Sequence, residues 1–193
     1  MKTKQLFAIS TIILMVFISF SCEKIKDEIN KAAAFDVNMN LADHYFSVDS
    51  LDFTVLKSVT EWQTLTEYEG YINVDSIFSA NNLSTASIEE GQFTEVTLSL
   101  VNPLPGMNLN FTDEMHVTIA NSSSEAGTIV ATTGTIPANS TSVTFTVNET
   151  NIAPFINNTN FHIKLEANVI GPIPGFTIPM VLAAGVTFTV IPL

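Results

Sequence analysis

Apolar and polar residues alternate along most of this chain, and that pattern limits the folds it can adopt. Between Phe35 and Leu41 every second residue is apolar, while Asp36, Asn38 and Asn40 fill the positions between them. A period of two places apolar side chains on one face of a strand and polar side chains on the other. The same alternation recurs, with some breaks, in 45–48, 52–59, 61–71, 96–100, 114–120, 128–135, 141–147, 161–169 and 180–190. The pattern predicts roughly nine to eleven strands.

Short strands at this spacing favour an all-β fold, a two-sheet antiparallel β-sandwich. Proline at several predicted strand ends marks protected edges and favours a sandwich over a barrel. One stretch, 74–82, lacks the alternation and predicts a short helix begun by Asp75 or Ser76 and ended by Asn81 and Asn82. We therefore expect residues 35–193 to form one sandwich domain with one or two short helical turns.

A weak internal repeat surrounds two proline-glycine turns. Residues 101–107 (VNPLPGM) match 170–176 (IGPIPGF), and each copy follows an alternating strand. Proline removes backbone donors and glycine permits positive φ, so both segments are predicted to be turns. The match predicts two similar units, about 72–117 and 145–186, unless two such turns resemble each other by chance. Met107 and Phe176 would lie at equivalent tips, either contacting a partner protein or lipid or packing inside their loops.

The charge of the chain excludes several classes of partner. Nineteen acidic residues face seven lysines and no arginine, for a net charge of −12, and only Lys57 and Lys164 follow Ala34. Such a domain offers no basic surface to nucleic acid or to phosphorylated ligands. Cys22 is the one cysteine, so no intramolecular disulfide can form and burial must hold the core together.

The first 21 residues have the layout of a secretory signal peptide. Lys2 and Lys4 precede an apolar run from Leu6 to Phe20, which ends in a small residue, Ser21, before Cys22. A membrane-spanning helix needs about 20 mostly apolar residues, and this run is shorter and contains serine and threonine. We expect residues 1–21 to be cleaved.

Residues 17–22 (FISFSC) resemble the lipobox of bacterial lipoproteins, in a looser form with Ser19 where an aliphatic residue is usual and with a bulky Phe20. The resemblance implies that Cys22 carries acyl chains such as palmitate. The alternative is an ordinary thiol beside a signal cleaved elsewhere. Two or more acyl chains anchor a protein stably, because each buried CH₂ contributes about 0.8 kcal/mol. Residues 22–34 would then be a charged tether to the bilayer.

The same resemblance implies a location in a Gram-negative cell envelope. The domain would be lipid-anchored at the outer membrane, either surface-exposed or facing the periplasm. The charges that follow Cys22 resemble sorting signals for the outer face, although a solvated linker explains them equally well.

The sequence contains no catalytic, metal or cofactor motif. Gly-x-Ser-x-Gly, His-Glu-x-x-His, phosphate-loop and dinucleotide fingerprints do not occur. His116 and His162 are expected to face outward on strands, and neither has a second histidine or cysteine at ligand spacing. No Asp-x-Asp-x-Asp-Gly calcium loop occurs either, and carboxylates such as Asp43, Asp49 and Asp52 would either hold calcium or serve as solvated charge. We expect a protein that is not an enzyme and has no cofactor, and no metal site is assigned.

Four aromatic residues, Trp62, Tyr68, Tyr71 and Tyr45, lie close together in sequence, and Trp62 and Tyr68 fall on one side of the predicted strand. Aromatic rings combine an apolar face with a polar edge, which suits stacking on the C–H face of a sugar. If that side of the strand faces inward, the rings belong to the core instead. Two functions remain open: a tethered, non-catalytic binding module for a glycan or protein, or a structural subunit of an envelope assembly.

Overall fold

A computed structural model describes residues 33–49, 62–83, 85–156, 160–170 and 176–192. In those ranges the chain forms ten strands and two short helices, so the predicted all-β fold is confirmed. The strands are β1 (Phe35–Asn40), β2 (His44–Val48), β3 (Trp62–Tyr71), β4 (Ala86–Leu100), β5 (Thr112–Ala120), β6 (Thr128–Thr132), β7 (Ser142–Thr144), β8 (Thr146–Val147), β9 (Asn160–Val169) and β10 (Ile178–Pro192). The helices are α1 (Val74–Ala80) and α2 (Ala153–Ile156).

The strands form two antiparallel sheets of five strands each. Sheet A has the order β1-β10-β4-β7, with β2 also paired to β10, and sheet B has the order β3-β9-β5-β6-β8. Asn40 pairs with Gly185 and His44 with Leu182, so β1 and β2 form one interrupted edge along β10. Among the described strands, β3 is one edge of sheet B and β8 is the other.

The inner faces of the two sheets supply the hydrophobic core. On β9 the residues Phe161, Ile163, Leu165, Ala167 and Val169 are all buried, and the residues between them are half-buried. This is the alternation that the sequence predicts. Burying one such valine, leucine, isoleucine or phenylalanine side chain contributes about 1.5–3 kcal/mol.

Each sheet contains one glycine that leaves room for a phenylalanine ring. Gly70 lies opposite Phe161 in sheet B, and Gly91 lies opposite Phe188 in sheet A. A Cβ atom on Gly70 would come within 2.3 Å of the Phe161 ring, and one on Gly91 within 2.8 Å of the Phe188 ring. Both contacts are too short, so these two positions require glycine.

Two crossovers connect one sheet to the other at the same end of the sandwich. The first contains the predicted turn at Pro105 and Gly106, whereas residues 171–175 of the second lie outside the described residues. The first joins β4 to β5 and the second joins β9 to β10, while β4 pairs with β10 and β5 with β9. The Val101 N–H donates to the Pro179 carbonyl at 2.9 Å, and the Ile170 N–H donates to the Phe111 carbonyl at 3.0 Å. Each of the two predicted units thus consists of a short helix, a strand, a crossover to the other sheet and a second strand. A common origin of the two units stays a prediction.

The predicted tether enters at the opposite end of the sandwich. Phe35, the first residue of β1, pairs with Val190 near the end of β10, whereas both crossovers lie near the start of β10. About ten residues of β10, at about 3.3 Å each, separate the two ends, so the crossovers lie roughly 30 Å or more from Phe35.

Strand β4 is longer than its sequence pattern indicates. It begins at Ala86 instead of Val96, and its pairing with β10 has two register shifts. Near each shift two consecutive residues are exposed, Glu89 and Glu90 in one case and Thr94 and Glu95 in the other. A β-bulge adds one residue to a strand and so interrupts the alternation. The predicted strand 52–59 lies outside the described residues.

The start of α1 differs from the prediction, while its end agrees. The cap is Asn73, whose side-chain oxygen accepts a hydrogen bond from the Ser76 N–H at 2.9 Å, so the choice of Asp75 or Ser76 as the cap was wrong. Asparagine is as good a cap as aspartate or serine, and the three lie within four residues. At the end, Asn82 adopts a φ of 57°, the left-handed conformation expected there.

Candidate functional site

Trp62 and Tyr68 lie on opposite faces of β3, contrary to the prediction that they share one. The pairing of β3 with β9 shifts register between Thr64 and Thr66. Trp62 pairs with the outward-facing Asn168, whereas Tyr68 pairs with the buried Ile163. A bulge adds one residue, so the side chains beyond it point to the face opposite to the one that simple alternation predicts. The sequence pattern does not show where a bulge occurs.

His44 connects the edges of the two sheets. Its ring, on β2 of sheet A, stacks on the ring of Tyr68 on β3 of sheet B, with centroids 3.9 Å apart and planes 9° apart. His44 Nε2 also lies 2.9 Å from the hydroxyl oxygen of Thr66. The imidazole also stacks on Phe46, with ring centroids 5.7 Å apart. These contacts hold two edge strands together across the open side of the sandwich.

Burial governs the ionisation of both rings in this stack. Loss of solvation lowers the pKa of His44 below its ordinary value of 6.5, because the charged imidazolium is the better-solvated form. The same cause raises the pKa of Tyr68 from 10.0 to about 12. Both side chains are therefore neutral at pH 7.

Beside this stack lies a cleft of about 300 Å³ between the two edges. Its floor includes Phe161 and Ile163, which belong to the core, and its sides come from 41–44 and 68–71. Asp43 and Glu69 contribute exposed carboxylates, and Tyr71 is 62% exposed. The cleft thus combines apolar rings with acceptors for hydroxyl groups, in a volume at the lower end of that of small-ligand sites.

Trp62 belongs to a second cluster, on the outer face of sheet B. Its ring reaches across β9 to His116 on β5, with centroids 4.1 Å apart and planes tilted by 44°. His116 Nε2 lies 2.8 Å from a carboxylate oxygen of Glu166 on β9. Trp62 keeps 43% of its surface exposed. The prediction that His116 faces outward is confirmed, although the tryptophan covers much of it.

Met107 and Phe176 both lie on the crossovers at the far end of the sandwich, but their surroundings differ. Met107 is half-buried and packs against the core, and its sulfur accepts a hydrogen bond from the Leu104 N–H at 3.4 Å. Leu104 is the exposed side chain of that turn, at 64%, and Phe176 is 46% exposed. Met107 therefore packs inside its loop, the alternative that the sequence left open, whereas a contact surface at the exposed Phe176 stays a prediction.

The remaining predicted sites concern membranes and metals. Cys22 lies outside the described residues. Neither of the two helices in the described part of the chain is long and apolar enough to cross a bilayer. Within those same ranges no group of three or more histidine, cysteine or acidic side chains is placed to hold a metal ion.

No protein-family model matches the chain, and no curated protein is similar to it in sequence.

Sequence reasoning identified Tyr68 and Tyr71, considered Asp43 only as a calcium ligand, and missed His44 and Glu69. The alternation in 44–48 does place His44 on the same side as Phe46 and the buried Val48, which indicates an inward-facing ring. That pattern could have found His44. No local signal brings it to Tyr68, because the contact joins two sheets across 24 positions of sequence.

Proposed function

We propose that this protein is a membrane-anchored lipoprotein whose sandwich domain binds glycans without catalysis. The observation that supports this most is the cleft at the edge of the sandwich, where exposed Tyr71 lies beside the carboxylates of Asp43 and Glu69. A tyrosine ring can stack on a sugar ring, and carboxylate oxygens accept hydrogen bonds from its hydroxyl groups. The stack of His44 and Tyr68 holds that geometry in place before a ligand arrives.

The anchoring part of the proposal rests on the N-terminal sequence. Acyl chains on Cys22 would attach the domain to the outer membrane through the tether 22–34, with a bilayer as its permanent partner. Mass spectrometry of the purified full-length protein would then find Cys22 as the first residue, carrying acyl chains. An unmodified Cys22 thiol would exclude the anchor.

A pair of tyrosines tests the binding part of the proposal. Tyr71 lines the cleft, whereas Tyr45 is equally exposed, at 65%, and does not line it. A glycan array is screened with the full-length protein in a detergent that contains no sugar, and the affinity of a glycan that binds is measured by calorimetry. We expect Tyr71→Ala to weaken binding about tenfold, which corresponds to about 1.4 kcal/mol, and Tyr45→Ala to leave it unchanged. Equal effects of the two substitutions, or no binding glycan, would exclude the cleft as the site.

The second function, a structural subunit of an envelope assembly, is favoured by one observation. Leu104, Ile170 and Phe176 are exposed apolar side chains at the crossover end of the sandwich. Exposed apolar groups at one end of a domain suit contact with another protein. If this function is correct, affinity purification from solubilised envelope would recover a defined partner with the unaltered protein but not with the matched variant Leu104→Ser.

A further inference from the structure

Trp62 and Tyr71 occupy the two ends of one strand, and their separation sets the size of a ligand that could contact both. They are the first and last residues of β3. At about 3.3 Å per residue the strand spans roughly 30 Å. Both side chains lie on positions of β3 that pair with the outward-facing residues of β9, Asn168 and Asn160. A surface with one aromatic ring at each end therefore runs along the edge of sheet B.

The surface between the two rings is polar and predominantly acidic. Thr64, Glu67 and Glu69 alternate along β3 toward the same side, and Glu166 lies on the neighbouring strand. The single lysine here, Lys164, has its charge offset by Glu67, whose other oxygen lies 3.7 Å from His162 Nδ1. An anionic polymer would be repelled along this path, whereas hydroxyl or ammonium groups would find acceptors.

The Trp62 end contains an unsatisfied hydrogen-bonding group. The side-chain oxygen of Asn168, directly opposite Trp62, is buried and has no hydrogen-bond partner. Such an acceptor costs free energy until a donor reaches it. A sugar ring stacked on Trp62 would bring a hydroxyl group close to Asn168. After a rotation of the Asn168 amide, that hydroxyl would donate to the side-chain oxygen.

From these observations we infer that the ligand is an extended neutral or amino-sugar polysaccharide that lies along β3 from the cleft to Trp62. This inference rests on the proposed glycan-binding function and adds to it the length and charge of the ligand. Chains of β-1,4-linked sugars are extended, as the strand is, and they present C–H faces to both rings. The Trp62, His116 and Glu166 cluster is thus a second subsite, joined to the cleft by the ligand itself.

Chain length and charge provide the test. Di-, tetra-, hexa- and octasaccharides of three classes are titrated into the full-length protein: neutral cello- and chito-oligosaccharides, cationic chitosan oligosaccharides, and anionic oligogalacturonates. We expect affinity to rise at least tenfold between the disaccharide and the longest neutral or cationic chain, and the anionic series to bind weakest. Trp62→Ala should abolish this rise in affinity with chain length.

Contact of a ligand with Trp62 can also be measured by fluorescence in the unaltered protein, because Trp62 is the one tryptophan of the chain. Its fluorescence should change with the long oligosaccharides and not with the disaccharide. Affinity independent of chain length, unchanged Trp62 emission with octasaccharide, or a preference for the anionic series would overturn the extended ligand and leave the cleft intact. Absence of binding by every oligosaccharide would overturn the proposed function as well.

Discussion

The outer face of sheet A and the outer face of sheet B differ in what their polar groups contact. On sheet A, short side chains pair with one another: the Thr189 hydroxyl donates to Asp36 at 2.8 Å, and the hydroxyl oxygens of Ser99 and Ser142 lie 2.8 Å apart. On sheet B the groups are larger: the Trp62 ring keeps 43% of its surface exposed, and the half-buried Glu166 carboxylate binds His116. Short paired groups leave little for a ligand to contact, and although Tyr45 on β2 is also exposed, this difference favours the proposed glycan site on the sheet B side.

The two glycine-phenylalanine pairs give the largest expected effect. Gly70→Ala and Gly91→Ala each force a Cβ atom against a buried ring, which should destabilise the fold by about 1–3 kcal/mol, with the larger loss at Gly70. Urea unfolding measures both. Only Gly70 and Phe161 line the cleft, so only Gly70→Ala should weaken glycan binding under conditions where both variants are folded. Equal loss of binding in the two variants would contradict the assignment of the site to sheet B.

Tyr68 should make the cleft side of the sandwich sensitive to alkali. Its folded pKa, about 12, lies above its ordinary value of 10.0, so its contribution to stability is complete below pH 10 and is lost as the pH rises through 12. A shift of that size corresponds to roughly 2–3 kcal/mol. Urea unfolding at about pH 9 and about pH 11.5 should show a smaller decline in Tyr68→Phe than in the unaltered protein. Identical declines would show that Tyr68 is solvated.

The paired hydroxyl groups of sheet A should contribute to the stability of the fold and not to glycan binding. Thr189→Val removes an exposed hydrogen bond to Asp36, at a cost of about 0.5–1 kcal/mol in the free energy of unfolding. Glycan affinity should not change. Calorimetric titration and urea unfolding of the same variant check both statements, and reduced affinity would mean that sheet A also takes part in binding.

The smallest effect concerns His44. Because its folded pKa lies below the ordinary 6.5, the unfolded chain takes up a proton first as the pH falls, and the fold loses stability from about pH 6.5 downward. The loss ends once the pH falls below the folded pKa. In His44→Asn this component is absent, so the difference in stability between the two proteins should depend on pH in that window. A constant difference would contradict the buried position of the imidazole.

The fold could be predicted from sequence wherever strands are regular, and the failures occur at bulges. Residues 161–169 alternate without interruption, and β9 covers them. In contrast, the bulge between Thr64 and Thr66 places Trp62 on the face opposite Tyr68. Two register shifts interrupt the alternation in the first half of β4, so the pattern did not predict that half as a strand. A bulge depends on pairing with a neighbouring strand, which a local pattern does not contain.

The candidate site was predicted less completely than the fold, for a related reason. The chain shows Tyr68 and Tyr71 as neighbours, but the cleft also needs Asp43 and His44 from the other sheet. Contacts between edges of different sheets are set by how the sandwich packs. His44 faces inward by its own alternation, yet its partner could be found only in three dimensions.

Hydrogen exchange of the full-length protein with and without octasaccharide tests the location of binding most directly. The proposal predicts slower exchange of backbone amides in 41–44, in β3 and in the facing positions of β9, with β1 and β7 unchanged. Protection confined to sheet A or to the crossover turns would contradict it.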